Sequence, residues 1–179
     1  MSTVVSRLAE LREDFDRSFA DPVRSHDNEH VELLSIRAGG RPYAIRLSQT
    51  SGLHPDRPVT PLPGPQPALL GLVGFAGQVV PVYDLAAILG HPVAERPRWL
   101  VLAGGSPPLG LAFHELDGHV RVANADIVQE GGDSGAAGSI RGMVALPGGV
   151  RPIVDVFATR TTVHALTGHA QDTDEEAAR

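Results

Sequence analysis

The sequence predicts a mainly β protein built from two similar lobes. The first observation is an ungapped internal repeat: GLVGFAGQVVPVYDL, residues 71–85, returns seventy-one residues later as GMVALPGGVRPIVDV, residues 142–156. The second is a pair of segments that each read as strand, Gly-Gly turn and strand, one ahead of each copy of the repeat. A chain of 179 residues suits one domain, or two small lobes that share a core.

Each predicted lobe begins with a hairpin. The segment VELLSIRAGGRPYAIRL turns at Gly39-Gly40, and RWLVLAGGSPPLGLAF turns at Gly104-Gly105. In both, AGG is followed by Pro two residues later. The hairpins are 65 residues apart and the repeated units 71, so the second half carries about six extra residues. We place them in GGDSGAAGS, residues 131–139, which is flexible by composition.

The repeated unit predicts several structural roles. Gly71 and Gly77 allow tight turns and the close approach of another backbone. Asp84 and Asp155 are predicted helix N-caps rather than catalysts, because a strand that feeds a helical turn leaves free backbone N–H groups. Six residues recur without a gap, and Gly71, Val73, Gly77, Val79, Pro81 and Asp84 return as Gly142, Val144, Gly148, Val150, Pro152 and Asp155.

Further positions are assigned by their apolar character. Pro81 and Pro152 are expected to be structural. Val79, Val82 and Leu85 are predicted to lie in the core, with a partner-binding groove as the alternative. Trp99, the single Trp, is expected to anchor the core of a lobe, with an interface role as the alternative.

Residues outside the repeats define the predicted domain limits. Residues 1–30 are predicted to hold an amphipathic helix over 3–20 and a polar linker, residues 31–160 the two-lobed domain, and residues 161–179 a flexible acidic tail. The helix is too short to be stable alone, so it docks either on its own domain or on a partner. The proline-rich stretch after His54 predicts an extended connector between strands.

Composition excludes several classes of function. A net charge of −6 argues against a nucleic-acid surface, which needs clustered positive charge. The chain has no Cys, so disulfides, thiolate metal sites and Cys nucleophiles are excluded. We find no signal peptide and no apolar run of membrane-spanning length, so a cytoplasmic location without membrane insertion is expected.

No constellation predicts catalysis or a cofactor. His114 and His119 are five residues apart rather than four, and in a strand such positions point to opposite faces, which argues against a zinc site. The glycine-rich stretches lack the Gly-Lys-Ser/Thr sequence of phosphate loops. We therefore predict that the protein is not an enzyme and needs no metal or cofactor.

Residues of about 31 to 160 resemble the CheW-like domain, the coupling module of bacterial chemosensory arrays. The central stretch TPLPGPQPALLGLVGFAGQVVPVYDLAAILG, residues 60–90, is similar to the family's T-x-[VL]-P and G-x-x-N-x-R-G-x-x-x-P-x-x-D-[LV] pattern. LGLAFHELDGHVRV, residues 109–122, resembles its G-[IL]-x-V-D-x-V-x-x-V segment. The resemblance implies two small five-stranded, SH3-like β-barrels around a shared core.

The resemblance also implies a non-catalytic adaptor of a chemotaxis pathway. Its implied partners are the regulatory domain of a CheA-type histidine kinase, the signalling tip of a chemoreceptor and other CheW-like subunits. It implies partner-binding roles for the residues that match the family's motif or replace its residues, namely Thr50, Gly52, Gly71, Gly74, Phe75, Ala76 and Gly77.

Departures from the family pattern indicate a divergent member. Gly74 and Ala76 stand where the family has Asn and Arg, and Gly52 stands where it has an acid. If that Arg and acid pair in the family, this chain has lost both together, which costs far less than losing one. We therefore expect kinase or CheW-like partners to be favoured over a conventional receptor tip.

A second class of function remains open on the sequence alone. A β-barrel outside chemotaxis could sense a small ligand in the groove between its lobes. His114 and Arg121 are the polar residues that the sequence offers for such a groove.

Overall fold

The computed structural model describes residues 30–63, 68–92, 96–129 and 138–163. The predicted helix over 3–20, the glycine-rich loop apart from its last two residues, and residues 164–179 lie outside the described residues. Helical turns at residues 47–49 and 124–126 and helix α1 (Leu85–Ile88) lie between strands, and helix α2 (residues 156–163) follows the last strand. The strands are β1 (His30–Ala38), β2 (Arg41–Arg46), β3 (Thr50–Pro55), β4 (Leu69–Phe75), β5 (Gln78–Asp84), β6 (Trp99–Ala103), β7 (Gly110–Phe113), β8 (Glu115–Ala123), β9 (Ile127–Val128), β10 (Ile140–Leu146) and β11 (Gly149–Val154).

The strands form two sheets, and each sheet is one lobe. The six-stranded lobe has the order β8-β1-β2-β11-β10-β9, and the five-stranded lobe has the order β3-β6-β7-β5-β4. The mainly β, two-lobed fold class is confirmed. In the described residues the sheets are open at both ends and hold six and five strands, rather than closing into two five-stranded barrels.

Both predicted hairpins form. β1 and β2 pair antiparallel from Leu33↔Arg46 to Ala38↔Arg41, around two glycines with φ of 57° and 72°. β6 and β7 pair from Trp99↔Phe113 to Leu102↔Gly110. The positive φ values explain why glycine stands at the first turn, since other L-residues adopt them at a cost.

The two sequence repeats are interleaved between the lobes. β2 of the first hairpin pairs in parallel with β11 of the second repeated unit, through Ile153↔Ala44 and Val154↔Ile45. β7 of the second hairpin pairs in parallel with β5 of the first unit, through Val82↔Gly110 and Tyr83↔Leu111. Each lobe therefore takes its hairpin from one repeat and its β4–β5 or β10–β11 unit from the other.

The apolar core has three parts. The largest cluster draws on both sheets and on both helices, and it includes Ile36, Leu85, Phe113 and Val156. A smaller cluster fills each lobe, around Val144 and Ile153 in one and around Val73 and Val82 in the other. These two pairs occupy the same positions of the repeat, so each lobe uses the same packing.

The apolar residues that the sequence analysis assigned differ in how deeply they are buried. Val82 and Leu85 are fully buried, as predicted. Val79 is 65% exposed, so its prediction as a core residue is wrong: it pairs with Gly74 on the outward face of the sheet. Trp99 is half-buried at the start of β6 and packs against the shared cluster.

Candidate protein-interaction surfaces

The two repeated units fold into equivalent hairpins with the same register. Leu72↔Pro81 and Gly74↔Val79 in the β4–β5 hairpin match Met143↔Pro152 and Ala145↔Val150 in the β10–β11 hairpin. All of these residues lie on the outward face of their sheet. Val79 and Val150 are 65% and 58% exposed, so each lobe carries an apolar outward face at the same place.

At Gly71 another backbone segment, around Thr60, approaches closely, as predicted, and crosses beside β4 as an antiparallel bridge. Its φ is 145°, and an added Cβ would lie 2.0 Å from the carbonyl oxygen of Thr60. Thr60 and Leu72 exchange two backbone hydrogen bonds of 2.8 Å at this crossing. At the equivalent Gly142 a Cβ would lie 2.9 Å from the carbonyl oxygen of Val128. The crossing strand at β4 is thus the counterpart of β9 at β10.

The turn of the β4–β5 hairpin is formed by Ala76 and Gly77, which have φ of 46° and 78°. Two consecutive left-handed residues in a two-residue connection are typical of a type I′ turn. Gly77 adopts this conformation freely, whereas Ala76 carries a steric penalty. Both residues, with Gly74, are exposed at the tip of the hairpin.

Phe75 joins the hairpin to strand β3. Its ring centroid lies 4.6 Å from that of His54, and the guanidinium carbon of Arg57 lies 4.8 Å from the ring centroid. β3 and β4 are the two edge strands of the five-stranded sheet, so this contact shows that the sheet curls far enough for their side chains to touch, although the two strands do not pair. The aromatic and cationic groups together bridge the gap between the two edge strands.

Thr50 and Gly52 lie on β3, the edge strand opposite β4 in the five-stranded sheet. The Thr50 hydroxyl donates to the carbonyl of Leu47 at 2.8 Å, which fixes the turn before the strand. A Cβ on Gly52 would lie 2.7 Å from Nε2 of His54. The His54 ring therefore occupies the space beside Gly52 where a longer side chain would stand. The partner-binding roles of Thr50, Gly52 and the hairpin residues stay predictions.

Asp84 and Asp155 cap helical turns in the same way. Asp84 accepts hydrogen bonds from the backbone N–H of Ala86 and Ala87, and Asp155 accepts from those of Phe157 and Ala158. Burial raises the pKa of Asp84, while the two backbone hydrogen bonds oppose the increase. The capping prediction agrees with these contacts.

The six-stranded lobe contains a polar cluster that the described residues of the other lobe do not repeat. Arg151, whose side chain is 8% exposed, donates to Asp117 at 2.6 Å. Asp117 also accepts from Arg37 at 3.3 Å. Burial acts to raise the pKa of Asp117, but the hydrogen bond and charge of Arg151, with the charge of Arg37, lower it overall. Arg151 occupies the repeat position that Val80 holds in the five-stranded lobe.

A different polar contact, between Tyr43 and His91, links the two lobes. The Tyr43 hydroxyl, on β2, is hydrogen-bonded to Nε2 of His91, which directly follows α1. The turn at Gly39 packs so closely on His91 that an added Cβ would lie 2.5 Å from the His91 Cβ. Burial and then the charge of Arg41 lower the pKa of His91, and burial raises the pKa of Tyr43.

Metal ligation finds no support among the residues that the structure describes. No group of three or more His, Asp or Glu side chains there could hold a metal ion. His114 lies at the bend between β7 and β8, and His119 lies within β8. Across the same described ranges, no helix is long and apolar enough to cross a membrane.

Residues 32–162 match the family model of the CheW-like domain. The chain belongs to the CheW-like domain family. The family match spans both lobes, α1 and nearly all of the described part of α2. It thereby confirms the resemblance drawn from the central motif.

Individual CheW proteins are distant relatives. The chain is 27% identical to a chemotaxis protein CheW of Rhizobium meliloti and 24% identical to one of Bacillus subtilis, each over 99 residues and 54% of this chain. These alignments cover 64% of each relative, so the matched stretch is less than two thirds of their length. The structure of the scaffolding protein TtCheW from Thermoanaerobacter tengcongensis matches with a TM-score of 0.62 at 12% identity, over 70% of this chain and 88% of that one.

Sequence reasoning missed three contacts of this CheW-like domain: Arg57 on Phe75, Arg151 with Asp117, and Tyr43 with His91. Only the second left a signal in the sequence. Aligning the two repeated units places Arg151 against Val80, and a charge at a position that is apolar in the other copy indicates a buried partner.

Proposed function

We propose that this protein is a chemotaxis coupling scaffold that binds the regulatory domain of a CheA-type histidine kinase and, more weakly, the signalling tip of a chemoreceptor. Membership of the CheW-like family is the single observation that carries the proposal. The protein would work at the cytoplasmic face of a receptor array. It would act without catalysis, by holding kinase and receptor in a fixed relation.

The equivalent outward faces support a scaffold role. Val79 and Val150 are large apolar residues exposed at the same position of each lobe, and exposed apolar patches are typical of protein-binding surfaces. Because the lobes are interleaved, the two faces are fixed relative to each other by the shared core. A rigid body with two similar faces suits a protein that joins two partners or binds further CheW-like subunits.

The receptor arm of the proposal is the weaker one because of the substitutions at the hairpin. Gly74 and Ala76 lack the polar side chains that the family pattern carries there. The region before residue 30 is an alternative docking element. We therefore expect the kinase regulatory domain to bind more tightly than a receptor fragment.

The test measures affinity for both partners by calorimetry, with the full chain and with a form that lacks residues 1–22. We expect the kinase domain to bind. Of Val79→Glu and Val150→Glu, the substitution on the face that contacts the kinase domain should weaken binding by about tenfold or more. Arg121→Lys is the matched control, because this exposed residue of β8 keeps its charge and the affinity should not change. Strong receptor binding with no kinase binding would overturn the order of partners, and binding of neither would overturn the scaffold role.

A further inference from the structure

Arg57 lies just after β3, one of the two edge strands of the five-stranded lobe. The residue before it, Asp56, is fixed in a left-handed conformation with φ of 48°. Its backbone N–H donates to the carbonyl of Arg98 at 2.7 Å, and its carboxylate accepts from Nε and Nη2 of Arg98, both at 3.2 Å. These bonds pin the chain after β3 and direct Arg57 toward the β4–β5 hairpin.

The Arg57 guanidinium is held by an aromatic face instead of by an acid. It lies 4.8 Å from the centroid of the Phe75 ring, within the range of a cation–π contact. The carboxylate of Asp56 is already taken by Arg98. Among the described residues no carboxylate forms an ion pair with Arg57, and its side chain is exposed. Within the described part of the chain, no carboxylate therefore competes with a second molecule for the hydrogen-bond donors of Arg57.

The ring that holds Arg57 is itself fixed. Phe75 packs against the apolar cluster inside the five-stranded lobe, and His54 contacts it from β3. An Arg stacked on a fixed ring loses less conformational entropy when it binds than a free side chain does. A planar guanidinium is also suited to bidentate recognition of a carboxylate.

We propose that Arg57 is a specificity-determining residue of the partner interface, where it offers its guanidinium, held over the Phe75 ring, to an Asp or Glu of the docking protein. The inference rests on the proposed function for the identity of that protein. The expected partner surface presents this carboxylate where β3 and the β4–β5 hairpin meet, because Arg57 lies over Phe75 there and His54 contacts the same ring. Because the Phe75 ring fixes the position of this guanidinium, an acidic group of the partner would meet it at a defined place.

The test compares the affinity of the full chain for the CheA-type regulatory domain at low and high salt. We expect Arg57→Ala to weaken binding by about tenfold, Arg57→Glu to weaken it further, and Arg57→Lys to restore part of the affinity. Arg121→Ala, an exposed Arg of the other lobe, is the matched control and should change affinity less than about twofold. Arg57→Ala should also reduce the salt dependence, which a purely structural role would leave unchanged.

A double-mutant cycle tests the part played by the ring. Phe75→Leu should weaken binding in the natural chain and have little further effect in the Arg57→Ala background, because the ring acts through the guanidinium. Unchanged affinity of Arg57→Ala and Arg57→Glu would overturn this inference while leaving the scaffold role intact. Failure of the unaltered chain to bind the regulatory domain would overturn both.

Discussion

At the residue scale, the glycines of the repeated unit have distinct tasks. Gly71 and Gly142 both lie where a second segment crosses, but the spacing differs. A Cβ would meet the Thr60 carbonyl oxygen at 2.0 Å in one case and the Val128 carbonyl oxygen at 2.9 Å in the other. Around Gly74 an added Cβ would meet nothing within 4 Å. The same residue type is therefore obligatory at one position and replaceable at another.

We expect Gly71→Ala to lower the free energy of unfolding by about 3 kcal/mol, because backbone atoms cannot move aside and φ of 145° is strained for Ala. Gly142→Ala should cost about half as much, since its closest contact is longer. Chemical denaturation of the purified variants measures both. Gly74→Ala is the control and should stay within about 0.5 kcal/mol of the natural chain. Equal losses at all three positions would show that the crossing does not set the requirement.

At the element scale, the two repeated hairpins share their register, but different side chains link distant strands in their two lobes. In the five-stranded lobe His54 and Phe75 meet across the sheet edges. In the six-stranded lobe Asp117 of β8 reaches Arg151 of β11, although two other strands lie between them in the sheet. Rings thus bring the two edge strands of one sheet together, whereas in the other sheet an ion pair links an edge strand to an inner strand.

We expect Asp117→Ala to lower the free energy of unfolding by on the order of 3 kcal/mol, because it leaves the Arg151 guanidinium buried without its acceptor. Arg151→Val should cost less, since Val is the residue that the other copy has at this position and Asp117 keeps Arg37. Denaturant unfolding at pH 7 compares the two variants. A greater loss of stability for Arg151→Val than for Asp117→Ala would contradict the argument that the buried Arg151 charge is the one that is costly to leave unpaired.

The same ion pair sets a pH dependence. The folded-state pKa of Asp117 lies below its ordinary value of 3.8, so its stabilising contribution is complete above about pH 4 and is lost as pH falls further. Asp117→Ala should therefore lose less stability than the natural chain when the pH is lowered through this range. The acid limb of a stability profile provides the measurement.

At the scale of the whole molecule, interleaving decides how the lobes are held together. Each sheet contains strands from both repeats, so neither half of the chain can form a complete lobe alone. Helix α2 adds to this connection: Arg160 donates to the carbonyls of Gly104 and Ser106, at 2.6 and 2.9 Å, in the loop between β6 and β7. Tyr43 and His91 join the lobes at a further point.

The contact between Tyr43 and His91 predicts a second pH effect. The pKa of His91 is lowered from 6.5, so this side chain is protonated more easily in the unfolded chain than in the folded one. The contribution of neutral His91 to the free energy of unfolding is therefore complete above about pH 6.5 and decreases as pH falls below that value. His91→Gln keeps a hydrogen-bond acceptor for Tyr43 but does not titrate. Its free energy of unfolding should therefore fall less than that of the natural chain between about pH 6.5 and 5. Parallel profiles for the two proteins would contradict the role of His91.

Local features were the most predictable from the sequence. The hairpin turns at Gly39-Gly40 and the caps at Asp84 and Asp155 depend on residues a few positions apart, and those patterns are visible in the chain. Val79 was mispredicted because apolar character alone does not say which face of a two-sided strand meets the core. The stack of Arg57 on Phe75 joins residues from opposite sheet edges, and nothing in the linear spacing indicates it.

The sequence by itself determined that the chain is a duplicated β protein of the CheW-like family, because repeat, turn and capping signals are written in short stretches. Only the tertiary structure decided that the repeats exchange their hairpins and that Gly71 admits a crossing backbone. It also decided that Arg57 lies on an aromatic ring and that Arg151 is buried against Asp117. These are pairings between distant segments, and they follow from which surfaces fit together when the core closes.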